Sequence, residues 1–94
     1  MDGLTIRIFN STDTAGIGQK FARFVTRIGG KVIAVGNQKD DEAHCRVFLR
    51  KELDQKRIVQ FLQKEFNCTL SLTPNNLGAD LMITVGNSFA DRWK

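Results

Sequence analysis

At 94 residues, with one Pro and no low-complexity tract, the chain is long enough for a single small domain and shows no linker that would divide it. Its 41% hydrophobic and 26% charged residues exclude a disordered chain, and no apolar run approaches the ~20 residues of a membrane helix. The net charge of +4, fourteen basic against ten acidic residues, is mild; most Lys and Arg read as solvated faces, and steering towards an anionic partner is expected to be modest.

In chain order, Thr5-Ile6-Arg7-Ile8-Phe9 is a β-favouring run that ends in the polar turn Asn10-Ser11-Thr12-Asp13-Thr14. Ile17, Phe21, Phe24, Val25 and Ile28 then recur at steps of three and four, the pattern of an amphipathic helix. Gly29-Gly30 supplies its left-handed stop, and Lys31 to Val35 begins a second strand, completing a βαβ unit. Gly36 to Glu42 reads as a charged loop, and His44 to Arg50 as a strand with Cys45, Val47 and Leu49 on its buried face. A second helix is predicted from about Leu53-Asp54, with Asp54 as N-cap, Ile58, Phe61, Leu62 and Phe66 inward and Asn67 at its end. Cys68 to Leu72 returns to a period of two, Thr73 to Gly78 is dense in turn formers, and Asp80 to Val85 is a nearly continuous apolar run suited to a central strand buried on both faces.

The order β-α-β-β-α-β-β predicts an α+β fold, a small two-layer sandwich in which a mixed β-sheet carries both helices on one face. The first and last strands are the candidates for its centre. Cys45 and Cys68 fit no metal-ligand spacing. Two buried thiols is the preferred state, a disulfide requiring their α-carbons to approach within about 7 Å.

Asn10, Ser11, Thr12, Asp13, Thr14, Gly16 and Gly18 form the strongest candidate ligand site: hydroxyls and backbone N–H groups at a helix N-terminus suit a phosphate or carboxylate. Helix capping and chain reversal by the same residues is the competing and preferred role, and the Lys-Ser/Thr ending of a P-loop is missing. Asp80, Asn87 and Asp91 flank the last strand, where polar groups hold ligands or, more commonly, terminate strands. His44, the single histidine, stands beside Cys45 with its side chain on the opposite face, so the two do not form a dyad. No catalytic residue, metal site or cofactor is assigned. Only Phe9 and Phe48 are placed for stacking bases, which makes nucleic-acid binding a weak alternative.

Three stretches together, IFNSTDTAGIGQKFARFV, KVIAVGN and ADLMITVGNSF, resemble the LytR C-terminal domain family from Thr5 to about Asp91. Members occur as accessory modules behind the catalytic domain of LytR-CpsA-Psr cell-envelope proteins, or alone behind a membrane anchor. The resemblance implies that residues 1–94 are one such domain, excised from a longer extracytoplasmic protein. It further implies a non-catalytic role with a cell-wall glycopolymer or an envelope protein as partner. Lys39 to Arg50 matches only as a strand. The opening also resembles an ACT regulatory domain, which implies an amino-acid sensor; the additional ADLMITVG strand favours the first family.

Overall fold

The computed structural model describes residues 4–12, 14–37, 44–72, 78–87 and 89. Strands β1 (Thr5–Asn10) and β2 (Lys31–Asn37) are joined by helix α1 (Ile17–Arg27). Strands β3 (Cys45–Leu49) and β4 (Thr69–Leu72) are joined by helix α2 (Arg57–Phe66), and β5 (Leu81–Val85) follows. The five strands form one mixed sheet in the order β2-β1-β5-β3-β4. Within each βαβ unit the two strands are direct parallel neighbours. Strand β5 lies between the units, parallel to β1 and antiparallel to β3.

Alternation in the strands sends Ile6 and Ile8, Val47 and Leu49, and Leu81, Ile83 and Val85 to one side, where all are completely buried. The apolar stripes of both helices, including Ile17, Phe21 and Val25 of α1 and Ile58, Val59, Leu62 and Phe66 of α2, join these residues in a single core. Both helices therefore cover the same face, the expected α+β sandwich. The helices meet through rings: Phe66 stacks edge-on against Phe24 at 4.9 Å and lies 5.4 Å from Phe21, and Phe21 meets Phe89 at 5.0 Å. Strand β5 is central, with Thr84 buried and Met82 half-buried on its reverse side.

Glycines set two of the close approaches. Gly29 takes φ 102°, the left-handed stop of α1. A Cβ on Gly30 would lie 2.6 Å from both Ile6 Cδ1 and Val25 Cγ1, so strand and helix close to that distance only over a glycine.

The structure departs from three sequence expectations. Helix α2 starts at Arg57 rather than near Leu53-Asp54, because Leu53, Asp54 and Lys56 each donate a backbone hydrogen bond three residues back. These bonds wind a 3-10 turn (Lys51–Leu53) that delivers Leu53 to the core and leaves Asp54 at the turn's end. Lys56 then resets the chain in an extended conformation as the N-cap of α2. Strand β2 continues through Gly36 to Asn37, where pairing with Phe9 and Asn10 outweighs the loop-forming character of Gly-Asn. The rest of that expected loop, 38–42, and residues 73–77 of the later turn lie outside the described residues. Finally, Cys45 and Cys68 are not thiols but a disulfide. The pairing Arg46↔Thr69 places them opposite one another, one step earlier on adjacent parallel strands, with α-carbons 4.4 Å apart.

Candidate functional site

The turn after β1 is held by its own polar groups. Asn10, buried at the end of the strand, accepts through Oδ1 from the Thr12 backbone N–H (2.9 Å) and from Thr12 Oγ1 (2.5 Å). Its Nδ2 donates to the Thr14 carbonyl (3.0 Å), and the Thr14 N–H donates to Thr12 Oγ1 (3.1 Å). Ser11 ties the turn to β5, its N–H and Oγ both donating to the Val85 carbonyl at 3.0 and 2.9 Å. These bonds bend the chain, as Asn, Ser and Thr do in turns.

None of these side chains caps α1. The N-cap is Gly16, in the left-handed region at φ 86°, and it has no side chain to offer. Capping needs the oxygen on the residue immediately before the helix, and Thr14 stands two positions too early. The start of α1 instead opens on a cleft of about 130 Å³ lined by Asn10, Gly16, Gly18, Gln19, Val35, Gly36 and Asn37. Gly18 brings the helix down onto β2, since a Cβ there would lie 2.9 Å from Val35 Cγ1. The cleft lies outside the C-terminal ends of two parallel strands, at a helix N-terminus, and among the described residues its lining carries amides and no titratable group. It can hold a small polar or anionic group. Asp13 lies outside the described residues.

The flanking polar residues of β5 do not converge. Strand β1 begins beside Asp80 and ends beside Val85, so Asp80 is at the far end of the sheet from the cleft. Asp80 Oδ2 accepts from the Thr5 backbone N–H (3.0 Å) and hydroxyl (3.2 Å). Its Oδ1 accepts from Arg50 Nη2 (3.2 Å), while Arg50 Nε donates to Glu52 (2.8 Å). The Thr5 backbone bond, helped by Arg50, holds the Asp80 carboxyl below the usual range. Arg50 is shifted upward by its bonds to Glu52 and then Asp80. Asn87 is exposed at the cleft end, and Asp91 lies outside the described residues. His44 is exposed at the start of β3; its carbonyl accepts from the Gly86 N–H, and its neighbour Cys45 is committed to the disulfide. Among the described residues no group of His, Cys, Asp and Glu could hold a metal ion.

Phe9 and Phe48, singled out for stacking, do share the face of the sheet opposite the helices, half-buried beside Arg7 and Arg46. Arg7 lies over the Phe9 ring at 5.4 Å, and Arg46 donates to Ser71 Oγ at 2.8 Å. What the linear sequence did not bring forward is the charge of α1 and β2. Lys20, Arg23, Arg27 and Lys31 fall between Ile17 and Asn37 with no Asp or Glu, and elsewhere acidic and basic residues are equal in number. A count by element, rather than over the whole chain, carries that signal.

No family model matches the chain, and no curated protein matches it. Among solved structures it is similar to one described as the solution structure of the C-terminal domain of RV0431, with 18% identity and a TM-score of 0.59. The match covers 88% of this chain and 71% of that one, and at this identity the likeness is one of fold. No helix among the described residues is long and apolar enough to cross a membrane.

Proposed function

We propose that the domain is a non-catalytic accessory module of a cell-envelope protein, holding a wall glycopolymer or a protein partner at its surface. The observation that carries this reading is the Cys45–Cys68 disulfide, which closes the β3-α2-β4 unit with both residues buried. Structural disulfides form and persist in oxidising compartments and are rare in the cytosol, so the bond supports an extracytoplasmic place. The fold neighbour is itself described as the C-terminal domain of a longer chain, which supports a module rather than an independent enzyme. The resemblance to the LytR C-terminal domain family supplies the cell-envelope setting. Within this reading the cleft beside Asn10, Gly16 and Gly18 receives a small acidic or hydroxylated group of the ligand. Ser11, Thr12 and Thr14 hold the turn in shape, and Asn87 stands exposed at the same end of the sheet.

The ACT-like sensor is favoured less by topology. A ferredoxin-like βαββαβ fold splits its βαβ units with an intervening strand, whereas β1 and β2 here are immediate neighbours. A thermal-shift screen with the mass in solution recorded alongside separates the two. Wall glycan or anionic polymer raises Tm if the envelope reading holds, whereas a selective rise with an amino acid, on a dimer, replaces it with the sensor. Alkylation of the protein as isolated from its natural setting checks the compartment directly: Cys45 and Cys68 are expected to resist labelling until reduced.

A further inference from the structure

We infer that the α1–β2 side of the domain is a docking site for an extended acidic peptide segment of a partner protein, which adds as a strand along the free edge of β2. The inference rests on the binding-module reading and narrows it to one surface and one chemistry.

Three independent observations meet there. Strand β2 ends the sheet order, so among the described residues no strand lies beside one side of its seven-residue backbone. The other edge, β4, has four residues. The pairing register slips between Ile6 and Arg7, which leaves Ile33 without a partner and turns it to solvent, 46% exposed. From Ala34 to Asn37 the register is regular, and that stretch is the template for an added strand.

Beside this edge, Gln19, Ala22, Arg23, Thr26 and Arg27 line an open groove of about 410 Å³. Gly18 lies against Val35 of β2, and Ala22 and Thr26 follow it at helical intervals of four, so the groove flanks the side of α1 that overlooks the edge strand. Thr26 turns its hydroxyl back onto the Ala22 carbonyl (2.8 Å), which keeps the ridge low. An edge strand next to a helix flank is the arrangement in which main-chain bonds hold a peptide while alternate side chains enter the groove.

Charge selects the occupant. Arg23, Arg27 and Lys31 are exposed around the groove and edge, and no Asp or Glu falls between Ile17 and Asn37 to offset them. A second copy would set these cations against their own equivalents across a two-fold axis, which opposes a β2–β2 dimer. A polysaccharide would answer the charge but would leave the free backbone edge and the apolar Ile33 unused. An extended peptide with Asp or Glu alternating with apolar residues satisfies all three.

The test begins with a display library of random ten-residue peptides selected on the immobilised 94-residue protein. A selected peptide, resynthesised, is then titrated while backbone amide resonances are followed. The expected result is enrichment of acidic–apolar alternation, with shifts concentrated at Ala34–Asn37 and along Ala22–Arg27. The R23E/R27E variant should bind about tenfold more weakly, while the charge-matched R57E/K64E variant on α2 binds as the parent does. Equal weakening in both variants, or a footprint on the Phe9–Phe48 face, overturns the inference. So does a concentration-dependent dimer with the β2 footprint and no peptide. Dextran sulfate serves as a sugar-polymer probe; if it alone gives the β2 footprint, the occupant is a polymer and not a peptide. A glycan that binds elsewhere removes this inference and leaves the accessory-module reading standing. Peptide docking by a domain whose cysteines are reduced in its natural setting removes the envelope reading and leaves this one.

Discussion

The two βαβ units of this domain are built to the same plan and secured in different ways. In β3-α2-β4 the strands are joined at their starts by a covalent bond between Cys45 and Cys68. In β1-α1-β2 there is no such bond, and the helix is brought onto its strands by glycines, Gly18 over Val35 and Gly30 over Ile6 and Val25. Both units are net basic, +3 from Cys45 to Leu72 and +4 from Thr5 to Asn37; the stapled unit ends in a short edge and the glycine-packed unit in a long one. On the docking inference above, the covalent staple and the binding edge fall in different halves of one sheet. Binding edges belong to regions that retain some freedom to adjust.

The largest expected effect falls where the halves meet. Phe21 of α1 is completely buried between Phe66 of α2 and Phe89, so Phe21→Ala removes a ring on which both units close. A loss of about 3–5 kcal/mol in urea unfolding is expected. A loss under about 1 kcal/mol would mean that the units are not joined through the rings.

Removing the staple sharpens the comparison. The C45A/C68A variant opens a loop of 23 residues and should lose about 3 kcal/mol, with urea midpoint as the readout. Native-state hydrogen exchange should show the loss of protection concentrated in α2 and β4 and largely absent from α1 and β2. An even loss across the sheet would mean that the two units open as one. In the other half, Gly30→Ala places a methyl 2.6 Å from Ile6 Cδ1 and Val25 Cγ1 and is expected to cost roughly 1–3 kcal/mol by overpacking. An exposed substitution on the same unit, such as Arg23→Glu, should change stability by less than about 0.5 kcal/mol.

The element order and the buried stripes of both helices were legible from hydrophobic period, because a single covered face imposes a period of two on strands and 3.6 on helices, and the central place of β5 was legible from its nearly continuous apolar run. The disulfide was not. Nothing local to Cys45 or Cys68 says that β3 and β4 are neighbours, and only that adjacency brings them within 4.4 Å. The N-terminal cap failed for a related reason: Ser11, Thr12 and Thr14 are typical capping residues, but the Ser11 and Thr12 hydroxyls are drawn to Val85 and Asn10 by the exit of β1, and Thr14 joins the turn through its backbone. The start of α2 was displaced by Leu53, whose burial required a separate turn before the helix could begin. Of the candidate site residues, Asn10, Gly16 and Gly18 come together at the cleft. Asp80 stands at the other end of the sheet because strand direction is not written in composition.

A modest effect, and one that depends on pH, belongs to the polar brace that links both units to β5. Asp80 precedes β5, binds Thr5 at the start of β1 and pairs with Arg50, which follows β3. Its side chain is 32% exposed, so the ion pair is screened and the Thr5 bonds carry most of the brace. Asp80→Asn keeps an oxygen for the Thr5 N–H and loses the charge, for an expected cost of about 1 kcal/mol. The pH dependence has a defined sign. The folded Asp80 carboxyl lies below its unfolded value, so the folded state binds the proton less readily than the unfolded chain. That contribution is fully present above the unfolded value of about 4 and is lost as pH falls through the lower folded value. Unfolding free energies measured from pH 6 downward should therefore fall more steeply below about pH 4 in the parent than in Asp80→Asn, the two curves converging in acid. Parallel curves would show that the carboxylate charge is not what secures β5 to the two units, and would leave that task to the strand pairing on either side of it.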